Sequence, residues 1–397
     1  MASALSGRER LTYPLAAFLV LGIAIAAWRI ADWPQDGRIL SFSVLSGALF
    51  GIVLQRSRFC FFCMARDYLD ERDARGLLGL LAALAVGTLG YHVLFSAFLP
   101  AAPRLPPGAH IGPVSWVLAL GALSFGVGMS VSGSCISAHM YRLGEGAIAS
   151  ILALFGAMVG FGLGFASWNF FYLAAVQEAA IVWLPHHVGY GGAIIVQLLA
   201  LGLLASWLMS RHRNQGDASA SAMGWRSVLQ TRWPAWLGGI LVAFIGVLAY
   251  FRSAPLGVTA ELGSLARTAA NSWNLLPDRL EGLDTFAGCA TVVKETVFSR
   301  NGLFVLALIA GSWASALAAN EFKPRWPGWR DGARHFFGGV LMGWGGMIAL
   351  GCTVGTLLSG VMAGAVSGWV FGLFCMLGLW GGWRLRQYVG GRRSATA

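Results

Sequence analysis

The chain has 397 residues, 57% of them hydrophobic and only 11% charged, with a mean hydropathy of +0.66. A water-facing protein carries about 25% charged residues, so this composition excludes a soluble domain and defines a polytopic membrane protein. The formal charge of +11 does not signal nucleic acid: the basic residues, arginine everywhere except Lys294 and Lys323, lie in short loops between apolar runs and form no patch or basic helix.

Runs of about 20 apolar residues are long enough to cross a hydrocarbon core of about 30 Å. In chain order they predict spans over 11–30, 40–57, 76–99, 113–133, 146–175, 187–210, 234–251, 302–320, 333–350 and 364–385. The first follows Arg8 and Arg10 and resembles a secretory signal, but it runs into Trp28, Arg29 and Asp32 without a small-x-small cleavage pattern, which predicts a retained helix. The run 146–175 is too long for one straight crossing, so an interfacial stretch is expected at Trp168, Phe170, Phe171 and Tyr172, the aromatics that belong at headgroups. The polar segment 211–233 divides the chain, giving an added N-terminal span over 1–35, a first half over 36–210, a linker, and a second half over 234–397. Arginine-rich loops favour the cytoplasm. The linker, the C-terminal RLRQYVGGRRSATA, the segment EFKPRWPGWRDGAR, the loop ARDYLDERDARG and both termini are therefore expected on the cytoplasmic side, and PAAPRLPPGAH outside.

Superposing Cys135 on Cys352 places Gly121 on Gly338, Gly126 on Gly343 and Gly128 on Gly345, all at one offset. Upstream, LSGALFGIVLQRS weakly resembles LGGILVAFIGVLAYFRS. The alternation of spans sends the helix before Cys135 inward and the helix before Cys352 outward. The expected fold is thus an all-α polytopic membrane protein of about ten apolar spans, in two inverted-topology halves with re-entrant cysteine-bearing loops. In such transporters the substrate site lies near mid-membrane where the repeats meet.

Chemistry concentrates at the cysteines. Cys60 and Cys63 follow a span in LQRSRFCFFCMARD, Cys135 follows Gly133-Ser134, Cys289 lies in TFAGCATVV, Cys352 stands between Gly351 and Thr353, and Cys375 sits in a plain apolar helix where it reads as a small hydrophobe. A broken helix is tolerated at membrane depth only when it is buried in protein or lines a cavity, which makes Cys135, Cys289 and Cys352 candidates for a pathway. Arg56 and Arg58 flank Ser57 before Cys60, and His139 and Arg142 follow Cys135. Charge at membrane depth marks pathways, although arginines at these positions also serve as ordinary cytoplasmic anchors. With half-helix N-termini and short donors at the Gly-Ser-Cys and Gly-Cys-Thr breaks, the pattern suits a large, soft, sulfur-containing anion. No second CxxC accompanies Cys60 and Cys63, so zinc is not expected. No cofactor is expected, and no enzymatic activity. Nor is there a nucleotide-binding motif, and Glu145, Glu178, Glu295 and Glu321 lie only near span ends.

The motifs GIVLQRSRFCF, VSGSCISAHMYRLGEG and ALGCTVG resemble the three cysteine motifs of the YeeE/YedE sulfur-transport family, over most of the chain from about residue 40. The resemblance implies an inner-membrane protein that takes up thiosulfate, or a selenium species in some branches. It implies inverted halves with loops dipping to mid-membrane, and passage along Cys60, Cys135 and Cys352 through transient S–H···S contacts. It also implies that any TusA-like cytoplasmic sulfur carrier acting with the chain is a separate protein. Two departures stand out: Gly-Ser-Cys replaces the usual double glycine before Cys135, and Cys63 has no family counterpart. Two alternatives stay open, a membrane thiol oxidoreductase cycling Cys60 and Cys63 and a non-catalytic partner that docks a cytoplasmic sulfurtransferase.

Overall fold

In hydrocarbon every backbone polar group must be satisfied within its own segment, and the apolar runs accordingly fold as helices. The computed structural model describes residues 9–99, 105–213, 229–277, 279–283 and 298–394, and within them the chain is all-helical, with three isolated β-bridges between loops. The helices are α1 (Glu9–Ala31), α2 (Gly37–Ser57), α3 (Phe61–Glu71), α4 (Arg75–Phe98), α5 (Trp116–Ser132), α6 (Ile136–Gly144), α7 (Ala149–Phe171), α8 (Leu184–Ser210), α9 (Ala235–Arg252), α10 (Ala260–Ser272), α11 (Arg300–Ala318), α12 (Trp329–Ile348) and α13 (Val366–Ser394). Among the described residues nine helical segments are long and apolar enough to cross a membrane. The bent pair Trp329–Ile348 and Thr353–Met362, which turns by 44°, makes a tenth.

Two sequence expectations change. The aromatic stretch after residue 167 is not all turned outward: α7 runs on into a π-helical turn, Tyr172–Val176, and Trp168 is fully buried with its indole N–H donated to Glu281 O at 2.8 Å. Phe170 faces outward, 70% exposed. The other change is α10, which occupies a stretch where no span was expected. Its mean hydropathy is too low for lipid, and it is covered by protein instead, packing on α7 and α11 with Glu261 and Ser264 buried.

Close backbone approach organises the bundle, as it does wherever lipid removes the hydrophobic drive between helices. Helix α2 packs on α11, and α4 on α9; α7 packs on α12, and α5 on both α12 and α13. A Cβ on Gly121 would lie 2.7 Å from Gly345 O, and one on Gly128 would lie 2.7 Å from Gly338 O, so α5 and α12 cross antiparallel through the glycines that the repeat aligns. Gly126 meets Cys375 O on α13, and its repeat counterpart Gly343 meets Ala157 O on α7. Helix α1 lies outside this core, seated through Ala27 and Ile30 on Val44, Ala48, Leu303 and Ala307.

Three spans break in the same way. Helix α2 ends at Arg58 (φ 48°), α5 at Gly133 (φ 84°), and the turn after α12 contains Leu350 (φ 55°), all left-handed. Two residues later in each case a cysteine in extended conformation caps the next helical segment: Cys60 before α3, Cys135 before α6, and Cys352 before the π-helical turn Thr353–Ser359. A left-handed residue satisfies the departing helix's carbonyls and turns the chain for a new start. The cysteines therefore stand at helix N-termini inside the bundle.

Candidate substrate pathway

The breaks at Cys60 and Cys135 converge. Their sulfurs lie 3.9 Å apart, within S–H···S range, and both residues are 1% exposed. The Cys135 thiol also meets Ser137 Oγ at 3.2 Å. Cys352 stands apart from this pair and accepts two hydrogen bonds at its sulfur, from Thr259 Oγ1 at 3.3 Å and from Gly355 N at 3.4 Å. Thr259 immediately precedes α10 as Cys60 immediately precedes α3, so the second thiol centre pairs a cysteine with a hydroxyl where the first pairs two cysteines.

An enclosed cavity of about 20 Å³ lies between the two centres, bounded by Cys135 and Ser137 on one side and Thr353 and Val354 on the other, with Phe50, Phe59 and Phe61 around it. That volume holds one water molecule, so the passage is closed in this conformation. The π-helical geometry after Cys352 belongs to the helical irregularities that concentrate at functional sites.

A vestibule of about 240 Å³ is lined by Ser43, Ser46, His110, Ser253, Arg300 and Asn301, and by Gly257 and Ala260, which flank in sequence the Thr259 that bonds Cys352. Arg300 donates to Ser253 Oγ at 3.3 Å. His110 is buried with Nδ1 unpartnered, and its ring lies so close to Gly355 that a Cβ there would be 3.0 Å from Cε1. Desolvation holds its pKa down to about 4, so the imidazole is neutral at physiological pH and the vestibule takes positive charge from Arg300.

The remaining predicted site residues divide. On the side of Cys60 away from the cavity, Arg142 donates from Nη2 to Cys63 Sγ at 3.2 Å and from Nη1 to Gly133 O at 3.4 Å. Ser134 turns its hydroxyl to Gly133 O at 2.6 Å, while Gly351 packs under Thr356, whose Oγ1 occupies the space a Cβ would need. His139 sits between Ser150 and Ser132, each at 3.2 Å, with its ring centroid 5.6 Å from that of His335. Cys289 lies outside the described residues. Cys375 is buried in α13 against Gly126.

Arg56 is 2% exposed and engaged in holding segments together: it donates to Thr231 O, accepts Trp233 N at its own carbonyl at 3.0 Å, and lies 3.9 Å from Glu321. Beside it Gln55 binds Glu321 at 2.8 Å, Glu145 at 3.3 Å and Ser315 at 2.8 Å. Burial pushes the Glu145 carboxyl up from its ordinary range, partly offset by exposed Arg58. Replacing Arg56 removes its hydrogen bond to Thr231 O and its contact with the partly exposed Glu321, and a hydrogen bond involving a charged group contributes about 1.5–3 kcal/mol. Arg56→Gln is accordingly expected to lower the thermal stability of the purified protein by several degrees while leaving the KM of the surviving fraction unchanged. A raised KM at native stability would instead put Arg56 in the pathway.

Thr259, Ser137, His110 and Arg300 were not singled out from the sequence. Only Thr259 left a trace there, as a small polar residue opening a short hydrophilic helix after a span, the same arrangement that Cys60 has. Among the described residues no three His, Cys, Asp or Glu side chains gather as metal ligands.

Buried thiols on helix breaks within an all-helical bundle of nine to ten membrane-span candidates, among the described residues, are the arrangement of a multi-pass membrane protein. The chain belongs to the Sulphur transport family, whose model matches residues 56–381. It is 27% identical over 362 residues to the thiosulfate transporter TsuA of Escherichia coli K12, covering 85% of this chain and 92% of that protein. To the TsuA of Spirochaeta thermophila it is 28% identical over 360 residues, with 85% and 96% covered. It is 32% identical over 203 residues to the probable transporter YedE of Salmonella typhimurium LT2, covering about half of each.

Proposed function

We propose that the protein takes up thiosulfate across a bacterial inner membrane, passing the anion from the vestibule to Cys352, then to Cys135 and Cys60, through transient S–H···S contacts and no covalent bond. The observation that carries this reading is the 3.9 Å contact between the buried Cys60 and Cys135 thiols, beside a small cavity that Cys135 shares with Thr353, the residue next to Cys352. A thiol is a weak donor, and conduction requires contacts weak enough to release what they bind. Two donors into the Cys352 sulfur turn that thiol's own proton away from them, and α3 and α6 aim partial positive charge at the contact they cap. Passage needs the residues around the closed cavity to move, and the π-helical turn beside it is the segment suited to do so.

The antiparallel crossing of α5 and α12 through aligned glycines supports inverted halves related about that crossing. The matched pairs α2–α11 and α9–α4 support it as well. Basic loops at 72–75, 211–213 and 319–330 share one end of the bundle and favour the cytoplasm. A TusA-like carrier would collect sulfur at that end. The sulfur contacts do not single out a Cys60–Cys63 redox pair, because Cys60 meets Cys135 as well as Cys63, and Cys63 also receives Arg142.

Purified protein in liposomes loaded with buffer is expected to take up ³⁵S-thiosulfate, and Cys352→Ser at equal density is expected to lose at least nine-tenths of that rate. Inert native liposomes would remove thiosulfate as the substrate. Normal uptake by Cys352→Ser would remove the relay and leave the transporter.

A further inference from the structure

We propose that Arg142 and Cys63 form a further binding station on the basic-loop side of the Cys60–Cys135 contact, where a sulfur oxoanion is held by its oxygens on the guanidinium and by its terminal sulfur on the Cys63 thiol before release. The proposal rests on the transport reading above and adds a fourth thiol to its route.

Arginine carries five N–H donors in a planar fork, and Arg142 places them on the Cys63 sulfur at 3.2 Å, the Gly133 carbonyl at 3.4 Å and the Tyr141 side chain, none of which is a carboxylate. Among the described residues no carboxylate lies within 4.0 Å of it. The acidic groups nearby are engaged elsewhere: Asp67 binds Arg66 at 2.7 Å, and Glu145 receives Gln55. A partly buried cation without a counter-ion is costly at membrane depth and marks a place that an anion occupies.

Position supplies the second argument. Cys63 lies three residues beyond Cys60 on α3, one helical turn toward the basic loops, and Arg142 reaches it from the far end of α6, whose other end Cys135 caps. Exposure rises along the same line, since Cys60 and Cys135 are buried whereas Cys63 and Arg142 are half-buried. An anion leaving Cys60 therefore meets a thiol and a guanidinium together, before it meets water. Only a ligand with both a soft sulfur end and a hard oxygen end uses the two groups at once. Thiosulfate has that shape, and sulfate does not.

Alkylation of Cys63 by a maleimide, read by mass spectrometry on the native protein in detergent, tests this directly. Saturating thiosulfate is expected to slow labelling of the Cys63 peptide about tenfold, and sulfate at equal ionic strength less than twofold. Arg142→Lys keeps the charge but not the fork, and it is expected to raise the half-protecting thiosulfate concentration about tenfold. Cys63→Ala, a change the fold tolerates more readily, is expected to raise the half-saturating thiosulfate concentration for efflux from the basic-loop face about fivefold. Labelling of Cys63 that ignores thiosulfate, equal protection by sulfate, or unchanged behaviour of both variants would overturn the station. Uptake by native liposomes is measured alongside. Intact uptake with unprotected Cys63 sinks only this proposal, whereas absent uptake sinks the transport reading first.

Discussion

Replacing Cys135 by serine is expected to cut thiosulfate uptake by at least about a hundredfold, equivalent to about 2.7 kcal/mol on the transport barrier, without reducing the amount of protein in the membrane. Serine is a favoured residue at a helix N-terminus, so α6 keeps its start and the fold keeps its shape. The change acts on the sulfur alone. Cys60 and Cys135 touch at 3.9 Å, a distance suited to two large sulfur atoms. A serine hydroxyl is shorter and its oxygen smaller, so the donor withdraws from Cys60 into a gap that no O–H···S bond spans. It also stays bonded to Ser137, now 3.2 Å or less from another hydroxyl, which favours a static local pair over a passing anion. Growth of a sulfate-uptake-deficient bacterium on thiosulfate as sole sulfur source reads the result, with uptake of labelled thiosulfate as the quantitative check. Uptake within twofold of native would remove Cys135 from the route.

Gly343→Val is expected to abolish folded protein, through a different mechanism. A Cβ at Gly343 falls on the carbonyl of Ala157, and at the same interface Gly339 meets Ala153 O, Gly156 meets Phe336 O and Gly160 meets Val340 O. Each neighbour is backbone, not the end of a flexible side chain, so neither helix can yield locally. Overpacking in a core costs about 1–3 kcal/mol where side chains can adjust, and a branched residue forced onto backbone at the α7–α12 contact is expected to cost more than that upper figure. Loss of a monodisperse peak in detergent chromatography measures it. Gly202→Val on α8, where nothing lies within 4 Å of the added Cβ, serves as the control and is expected to leave the peak intact. A monodisperse, thermally native Gly343→Val protein would show that the two helices do not need this approach.

Much of this molecule was legible without coordinates, because the properties concerned are local. A run of apolar residues crosses a bilayer whatever its neighbours are, so the spans came directly from hydropathy. Gly133-Ser134 before Cys135 and Gly351 before Cys352 announced that the helices break near these cysteines, and the aligned glycines at 121, 126 and 128 proved to be the ones at which helices touch. Hydropathy failed where burial is supplied by protein instead of lipid. Helix α10 is too polar to be noticed, yet Thr259 before it completes the Cys352 centre. The break at Leu350 also left no glycine signal of its own, since a left-handed leucine is tolerated only because the surrounding turn enforces it.

What the tertiary structure alone decided is which groups meet. Spacing along the chain suggested Cys60 with Cys63, but the packing of α6 against α2 and α11 also brings Cys60 to Cys135, 75 residues away, and Arg142 to Cys63. Spacing likewise placed Arg56 beside the cysteines, while packing buries its guanidinium between Thr231 and Glu321, where it holds segments together. Side chains on a helix point according to its rotation, and that rotation is set by where glycines let two backbones come closest. Sequence therefore determined the membrane class and the helix breaks that carry cysteines, and long-range packing determined which of those sulfurs meet and what each of them touches.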